Sequence, residues 1–247
     1  MVMVIKSNVA SNVIANPDGW NPPFSTDGML YAGIYGRGEL SKNFAPGRPD
    51  AAVVGSPTLT DNFLSVDFNN YIETGVVTTK AATLIAIAHR KAASARQFFI
   101  TSYKGTGAFG RSLLAEGASS PQIAIYSHYR GIDDKGTSVD AAKTTAIAQV
   151  KTDNSPGMMY CSDDGKILAI GDKTENRLFT APPATGTVES VENTAITYRI
   201  GRAISPEVPT SSSIAAALIF DRALPATEIQ AIYTYFQEYF ARRSVII

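Results

Sequence analysis

The chain has 247 residues, of which 45% are hydrophobic and 18% charged, and its 22 basic and 22 acidic side chains balance. A balanced charge argues against a nucleic-acid-binding protein, which carries a basic excess, and against electrostatic docking to an anionic membrane. The single cysteine, Cys161, cannot form an internal disulfide, and no apolar run reaches the ~18 residues of a membrane span. We therefore expect one large globular domain with a terminal extension.

Residues 1–30 read as the extension. They are rich in Asn, Ser, Pro, Asp and Gly, and no basic region precedes a long apolar core as in a signal peptide. Trp20 and Phe24 lie in this segment, and a tryptophan in an irregular polar stretch commonly anchors it to a body or a partner. We predict that residues 1–30 dock onto the domain or onto a neighbouring subunit, and that the protein is made in the cytoplasm.

Residues 31–247 show the pattern of a β-sandwich. Short runs of β-forming residues alternate with clusters of Gly, Pro, Asp and Ser, and Asp164-Gly165 is a strong hairpin signal. Residues 171–193 are polar and contain Pro182-Pro183, so we predict a long loop there. The predicted strands are residues 31–40, 63–68, 71–75, 83–89, 97–103, 122–128, 144–150, 158–162, 167–170, 196–201 and 214–220.

The last predicted strand leads into a helix. Residues 214–220 form an unbroken apolar run, which is typical of a strand buried on both faces. From Ile229 to Phe240 apolar residues recur at helical spacing, and Pro225 suits a first helical position. We predict an amphipathic helix over residues 226–243 that packs against the β body.

The predicted helix carries more aromatic residues than a short helix on a sandwich needs. Tyr239 and Phe240 extend its apolar face by another turn. We therefore predict that the extension or a neighbouring subunit covers this face. The predicted interface residues are Trp20, Phe24, Tyr239 and Phe240.

Two groups of motifs carry a family resemblance. Residues 219–224 read Ile-Phe-Asp-Arg-Ala-Leu and are followed by Glu228-Ile229, and residues 43–58 contain Asn-Phe-Ala-Pro-Gly and Val-Val-Gly-Ser-Pro-Thr. The first resembles the C-terminal signature of concanavalin A-like, laminin G-like jelly-roll domains, and the second is similar to laminin G-like proteins of bacteriophages and prophages. The resemblance covers residues 31–247. It implies an all-β antiparallel sandwich with an N-terminal extension and a C-terminal amphipathic helix.

The same resemblance implies a non-enzymatic virion protein of a phage tail, baseplate or fibre, which is structural and recognises a host surface. The expected partners are other virion subunits, bound through the N-terminal extension, further copies of the chain in a homo-oligomer such as a trimer, and a host surface polysaccharide. Neither nucleic acid nor a membrane is expected as a partner. Because one fold hosts many functions, two alternatives stay open: a carbohydrate-binding lectin-like module and a polysaccharide-degrading glycosidase.

Catalytic patterns are weak in this sequence. A glycosidase needs two carboxylates about 5 to 10 Å apart, and the nearest approach in sequence, Asp67 and Glu73, flanks a predicted hairpin. A Ser/His/Asp hydrolase needs a base, but His89 and His128 are the two histidines and no Gly-x-Ser-x-Gly elbow occurs. We therefore predict no catalytic residues.

No resident metal or cofactor is predicted, because neither histidine has ligand spacing with Cys161. Calcium stays open as an alternative, since related domains often hold it on loop carboxylates. The available carboxylates are Asp133, Asp134, Asp163, Asp164, Asp172 and Asp221.

Sugar binding on a β-sandwich uses exposed aromatic rings with a few polar groups beside them. Cross-strand packing is the alternative role for each such residue. The candidate ligand-binding residues are Tyr103, Phe109, Arg111, Tyr126, Tyr129 and Arg130.

Overall fold

The fold comes from a computed structural model that describes residues 20–60, 62–91, 96–104, 110–116, 122–132, 135–148, 153–181, 188–190, 194–202 and 211–247. Within these ranges the chain forms sixteen strands and one α-helix, α1 (Ala226–Ala241). The strands are β1 (Met29–Ile34), β2 (Ala52–Val54), β3 (Thr58–Thr60), β4 (Phe63–Val66), β5 (Tyr71–Val77), β6 (Ala82–Lys91), β7 (Gln97–Thr101), β8 (Ser112–Glu116), β9 (Gln122–Ile132), β10 (Ser138–Ala148), β11 (Asp153–Asp163), β12 (Leu168–Asp172), β13 (Arg177–Ala181), β14 (Val188–Ser190), β15 (Thr197–Ile200) and β16 (Ser212–Phe220).

The strands form two sheets, in which the described strand pairs are antiparallel. Sheet 1 has the order β13-β12-β11-β6-β16-β4-β3, and β1 also pairs with β16. Sheet 2 has the order β10-β9-β8-β7-β15-β5-β2, and β14 also pairs with β9. The predicted all-β antiparallel sandwich with a C-terminal helix is confirmed.

The unbroken apolar run of β16 follows from its position at the centre of sheet 1. On its inner face, Ala217 and Ile219 lie in the core between the two sheets. On its outer face, Leu218 and Phe220 pack in a second apolar layer that includes α1. A strand that is covered on both faces needs apolar residues at every position.

Helix α1 closes the outer face of sheet 1. Its residues Ile229, Ile232, Phe236 and Phe240 are buried at the helical spacing that the sequence predicted. The helix begins after Pro225, which is extended, and it ends two residues before the predicted limit. None of the helices in the described ranges is long and apolar enough to cross a membrane.

The N-terminal segment from residue 20 to residue 28 packs on α1. The indole nitrogen of Trp20 donates a hydrogen bond to the hydroxyl of Tyr235 at 2.9 Å. The ring of Phe24 meets the ring of Tyr235 edge-on, with 5.4 Å between centroids. Trp20, Phe24 and Phe240 are buried within the chain itself. Residues 1–19 of the predicted docking segment lie outside the described residues.

Some predicted boundaries were wrong. Strand β1 begins at Met29, inside the predicted extension, and ends at Ile34, because a 3₁₀ turn over Tyr35–Arg37 stops the strand at a left-handed Gly38. The predicted loop at residues 171–193 contains β13 and β14. The Leu-Phe pair of β13 stands among polar residues, so this segment resembles a loop in sequence, yet the backbone of β12 supplies a pairing partner.

Candidate functional site

The outer face of sheet 2, which we call the sheet-2 face, collects the polar and aromatic groups of interest. Strand residues alternate between faces, so β15 directs Tyr198 and Ile200 into the core and Arg199 outwards. The strand registers align one outward residue from each of five adjacent strands. In order across β5, β15, β7, β8 and β9, this row is Glu73, Arg199, Thr101, Ser112 and Tyr126.

Arg199 is the most deeply buried charge in the row, with 1% of its surface exposed. One terminal nitrogen, Nη2, donates to the backbone carbonyl of Tyr103. Its Nε is buried and has no hydrogen-bond partner in the described part of the chain. Burial and then the neighbouring charge of Arg202 lower the pKa of Arg199 to about 10.

Arg202 lies beside Arg199 at the end of β15. Its guanidinium carbon is 4.8 Å from the ring centroid of Phe68 and 5.0 Å from that of Tyr71. These distances are those of cation–π contacts. The Nε of Arg202 is also buried without a hydrogen-bond partner among the described residues.

Glu73 is the carboxylate that the strand register places opposite Arg199. It raises the pKa of Arg199 by less than burial and Arg202 lower it. Within the described ranges its Oε1 is buried with no hydrogen-bond partner. The two arginines therefore outnumber the carboxylate beside them, and each of the three side chains has a buried polar atom without a partner.

A short apolar strip crosses the same face. Phe98, Leu114 and Ala124 come from the adjacent strands β7, β8 and β9 and are buried together. Phe68 and Tyr126 pack against this strip. The strip thus lies between the aromatic ring of Phe68, near Arg202, and a second polar group on β8 and β9.

The second polar group is centred on Glu116. Arg96 donates through Nε to Glu116 Oε2 at 2.6 Å, and the hydroxyl of Tyr126 donates to Glu116 Oε1. Burial and then the hydrogen bond to Glu116 raise the pKa of Tyr126 to about 12, so its hydroxyl keeps its proton at neutral pH. The result is a half-buried phenol ring that is held in place beside an exposed guanidinium.

The predicted ligand-binding residues fall into three locations. Tyr103 is half-buried beside Arg199, and Tyr126 lies on the sheet-2 face. Arg111 and Tyr129 are instead buried in the interior, with 3% and 2% exposed. Phe109 and the side chain of Arg130 lie outside the described residues.

Arg111 is the centre of an internal network that links the two sheets. It donates to Asp163 Oδ2 through Nε at 3.1 Å and through Nη2 at 2.7 Å. Tyr129 and Ser127 also donate to Asp163, at 2.6 and 2.7 Å. Nη1 of Arg111 donates to the Tyr198 hydroxyl at 3.0 Å. These contacts use the polar atoms of Arg111 and Tyr129 internally, so they do not favour the predicted ligand contacts.

Three of the carboxylates considered for calcium, Asp163, Asp164 and Asp172, have other hydrogen-bond partners. Asp163 is held by Arg111, and Asp172 accepts from Arg90 at 2.9 Å. Asp164 closes the predicted hairpin by accepting from the backbone of Lys166 at 2.8 Å. Asp133 and Asp134 lie outside the described residues. Within the described ranges no group of three or more His, Cys, Asp or Glu side chains could hold a metal ion.

The two carboxylates considered for a glycosidase, Asp67 and Glu73, lie in different surroundings. Asp67 accepts hydrogen bonds from the backbone nitrogens of Asn69 at 2.8 Å and Asn70 at 2.9 Å, which closes the turn between β4 and β5. Glu73 points to the sheet-2 face beside Arg199. Asp67 therefore has a turn-forming role.

Sequence reasoning missed Arg199 and Arg202, and it considered Glu73 only as a possible glycosidase carboxylate. The alternation of Thr-Tyr-Arg-Ile in β15 indicates that Arg199 points away from the core. That pattern does not identify its neighbours, because Glu73 lies more than a hundred residues earlier in the chain. The pairing of β5 with β15 brings them together.

No protein-family model matches the chain, and no curated protein matches it. Solved structures with a similar fold are binding domains of botulinum neurotoxins. The binding domain of neurotoxin DC in complex with SialylT has a TM-score of 0.59 and 12% identity, over 86% of this chain and 52% of that one. The serotype D domain in complex with N-acetylneuraminic acid has a TM-score of 0.55 and 11% identity, over 85% and 51%.

A third similar structure is of botulinum neurotoxin type C, whose cell entry depends on interaction with two ganglioside molecules. It has a TM-score of 0.58 and 10% identity, over 86% of this chain and 52% of that one. This chain therefore spans about half the length of the neurotoxin domains it matches. At such low identity the likeness concerns the fold, and it supports the lectin-like jelly roll that the sequence motifs predicted.

Proposed function

We propose that the protein is a non-enzymatic, lectin-like module that binds a carbohydrate of a host surface through the sheet-2 face. The observation that carries this proposal is the combination of half-buried aromatic rings, a carboxylate and arginines on one rigid sheet surface. Carbohydrates offer hydroxyl groups to such polar atoms and apolar ring faces to aromatic side chains. The similar neurotoxin domains, some of which were solved with sialic acid, add support from the fold.

Tyr126 is the proposed centre of the sugar platform. Its ring packs on the apolar strip, and Glu116 fixes its hydroxyl. Arg96, which is exposed, lies 5.9 Å from the same ring and supplies donors at its edge. A site built on strands holds its ring in one orientation, which lowers the entropy lost on binding.

A glycan array with the full chain tests this proposal. We expect binding to a defined set of glycans, with Tyr126→Ala lowering affinity tenfold or more and Tyr126→Phe retaining most of it. Ile167→Ala, an exposed apolar residue near the other sheet, is the location control and stays within twofold. Absence of binding across neutral and acidic glycans, or equal losses in Tyr126→Ala and Ile167→Ala, would contradict the proposal.

A finer proposal is that the module acts in a phage virion, as a tail, baseplate or fibre component assembled in the host cytoplasm. The motif at residues 43–58 supports it through its resemblance to laminin G-like proteins of bacteriophages and prophages. Electron microscopy of purified particles with a labelled antibody against the chain tests this location. Recovery of the protein free of particles would contradict it.

The proposed homo-oligomer has a candidate contact on sheet 1. Leu178 and Phe179 on β13 are 61% and 50% exposed, and β13 is the end strand of the described sheet. An exposed apolar edge strand favours pairing with another copy. Light scattering tests this contact: we expect Leu178→Lys to lower the measured mass, and a monomeric wild-type chain would contradict the proposal.

A further inference from the structure

The sheet-2 face contains an unusual concentration of buried polar atoms without partners. Nε of Arg199, Nε of Arg202 and Oε1 of Glu73 are each buried and lack a hydrogen-bond partner in the described part of the chain. Folded proteins satisfy most buried polar groups, because each one left unpaired costs about 1 to 3 kcal/mol. Three such atoms in neighbouring side chains mark a place on the sheet-2 face where the described chain leaves charged groups incompletely hydrogen-bonded.

The charges of these three side chains indicate the sign of the charge that a binding partner would carry. Arg199 and Arg202 carry two positive charges, and Glu73 supplies one negative charge. Burial and then the charge of Arg202 lower the pKa of Arg199, and Glu73 offsets only part of this shift. A bound anion would reduce the repulsion between the two guanidinium groups, whereas a water molecule would satisfy donors without changing the charge balance.

The side chains also indicate the shape of the partner. Guanidinium groups present planar pairs of donors that match the two oxygens of a carboxylate. Arg202 is half-buried, whereas Arg199 is only 1% exposed. Phe68 and Tyr71 hold the guanidinium of Arg202 between strands and offer ring surfaces beside it.

We propose that Arg199 and Arg202 form an anion-binding subsite on the sheet-2 face, and that the recognised carbohydrate is an acidic saccharide whose carboxylate contacts Arg202. Arg199 increases the positive potential at this contact, as a positioning residue. The ring of the saccharide lies towards the apolar strip and Tyr126. This inference rests on the proposed carbohydrate-binding function and narrows its ligand class.

Calorimetry with two matched oligosaccharides tests the subsite in the full chain. We expect an oligosaccharide ending in N-acetylneuraminic acid to bind at least tenfold more tightly than the same compound without that sugar. Arg202→Gln removes this preference, whereas a change at an exposed arginine directly after α1, Arg242→Gln, preserves it. A sulfated and a uronic-acid-containing oligosaccharide, measured in parallel, identify which acidic group is favoured.

The variant Glu73→Gln should change the affinity for the acidic oligosaccharide in the opposite direction to Arg202→Gln. Removing the competing carboxylate leaves the positive pair uncompensated, so affinity for the acidic oligosaccharide rises severalfold and affinity for the neutral one stays the same. A residue with a purely structural role would not strengthen binding in this selective way. An unchanged or weaker affinity for the acidic compound in Glu73→Gln would overturn the subsite.

The failure of this inference is distinguishable from the failure of carbohydrate binding. If neutral and acidic oligosaccharides bind equally and Arg202→Gln changes neither, the acidic subsite is refuted while carbohydrate binding stands. Nuclear magnetic resonance of arginine Nε–H groups gives an independent measurement. Saturable shifts at Arg202 with free N-acetylneuraminic acid, absent with methyl galactoside, support the subsite even if no oligosaccharide binds, and unchanged Arg202 signals overturn it.

Discussion

Two buried arginines of this protein, Arg111 and Arg199, have opposite surroundings. Arg111 lies between the sheets and donates to Asp163, Tyr198 and backbone carbonyls, so each of its three nitrogens has a partner. Arg199 lies on the sheet-2 face with its Nε unpartnered in the described part of the chain. The two arginines are therefore buried to a similar extent, but the hydrogen bonds of Arg111 are complete and those of Arg199 are not, within the described residues.

The pKa values of the two arginines show the same contrast, because that of Arg111 is raised and that of Arg199 is lowered. Burial by itself lowers the pKa of a guanidinium, but the charges of Tyr198 and Asp163 raise that of Arg111 above its ordinary value. Burial and Arg202 lower that of Arg199 to about 10. A charge that the fold compensates is structural, and a charge that the fold leaves uncompensated is a candidate for binding.

The two outer faces of the sandwich show the same contrast. The outer face of sheet 1 is closed by α1 and the segment around Trp20, whose indole nitrogen has a partner in Tyr235. The sheet-2 face instead carries buried polar atoms that have no hydrogen-bond partner among the residues the structure describes. A variant that removes a hydrogen-bond partner at the outer face of sheet 1 should therefore lower the free energy of unfolding. A variant that removes a positive charge from the sheet-2 face should leave this free energy constant or raise it.

The largest effect is expected when Arg111 loses its carboxylate. Asp163→Ala leaves a buried, unpaired guanidinium, and breaking a buried ion pair in this way costs about 3 to 5 kcal/mol. Urea unfolding should show this loss in the free energy of unfolding. The double variant Arg111→Met, Asp163→Leu removes both charges and should recover much of the loss; a double variant less stable than Asp163→Ala would contradict the ion-pair explanation.

An intermediate effect is expected at the covered face of sheet 1. Tyr235→Phe removes the acceptor of the Trp20 indole and should cost about 1 kcal/mol, because one buried donor is left unpaired. A double-mutant cycle with Trp20→Phe measures the coupling between the two side chains. Additive effects in this cycle would show that the hydrogen bond does not stabilise the docked segment.

A small effect of opposite sign is expected at the sheet-2 face. Arg202→Gln relieves the repulsion of Arg199, so the free energy of unfolding should stay constant or rise by roughly 0.5 kcal/mol. The same variant should raise the pKa of Arg199, measured from its Nε–H signal. A loss of about 2 kcal/mol or more would show that Arg202, like Arg111, stabilises the fold.

The smallest effect concerns the second polar group. Glu116→Gln removes the charge next to Tyr126 and should lower the pKa of this phenol from about 12 towards its ordinary value. Burial, the larger cause, remains, so the pKa should stay above that of an exposed tyrosine. Ultraviolet titration of wild type, Glu116→Gln and Tyr126→Phe assigns the signal; an unchanged titration in Glu116→Gln would exclude coupling between these side chains.

Sequence patterns predicted the elements whose signals are local. The apolar run of β16 and the helical spacing of α1 each involve residues close together in the chain, and the structure confirmed both. The same patterns did not reveal β13, whose short Leu-Phe pair stands among polar residues and which pairs with β12. They also failed to separate Arg111 from Arg199, because the partners of both side chains lie far away in the chain.

The sequence by itself determined that this chain is a β-sandwich with a covering helix, since hydrophobic periodicity depends on neighbouring residues. Tertiary structure alone decided which arginine is enclosed by partners and which is left with an unsatisfied nitrogen. Asp163 reaches Arg111, and Glu73 and Arg202 lie beside Arg199, through strand pairings between distant parts of the chain. The electrostatic environment of a buried charge depends on those long-range neighbours, and no local pattern encodes it.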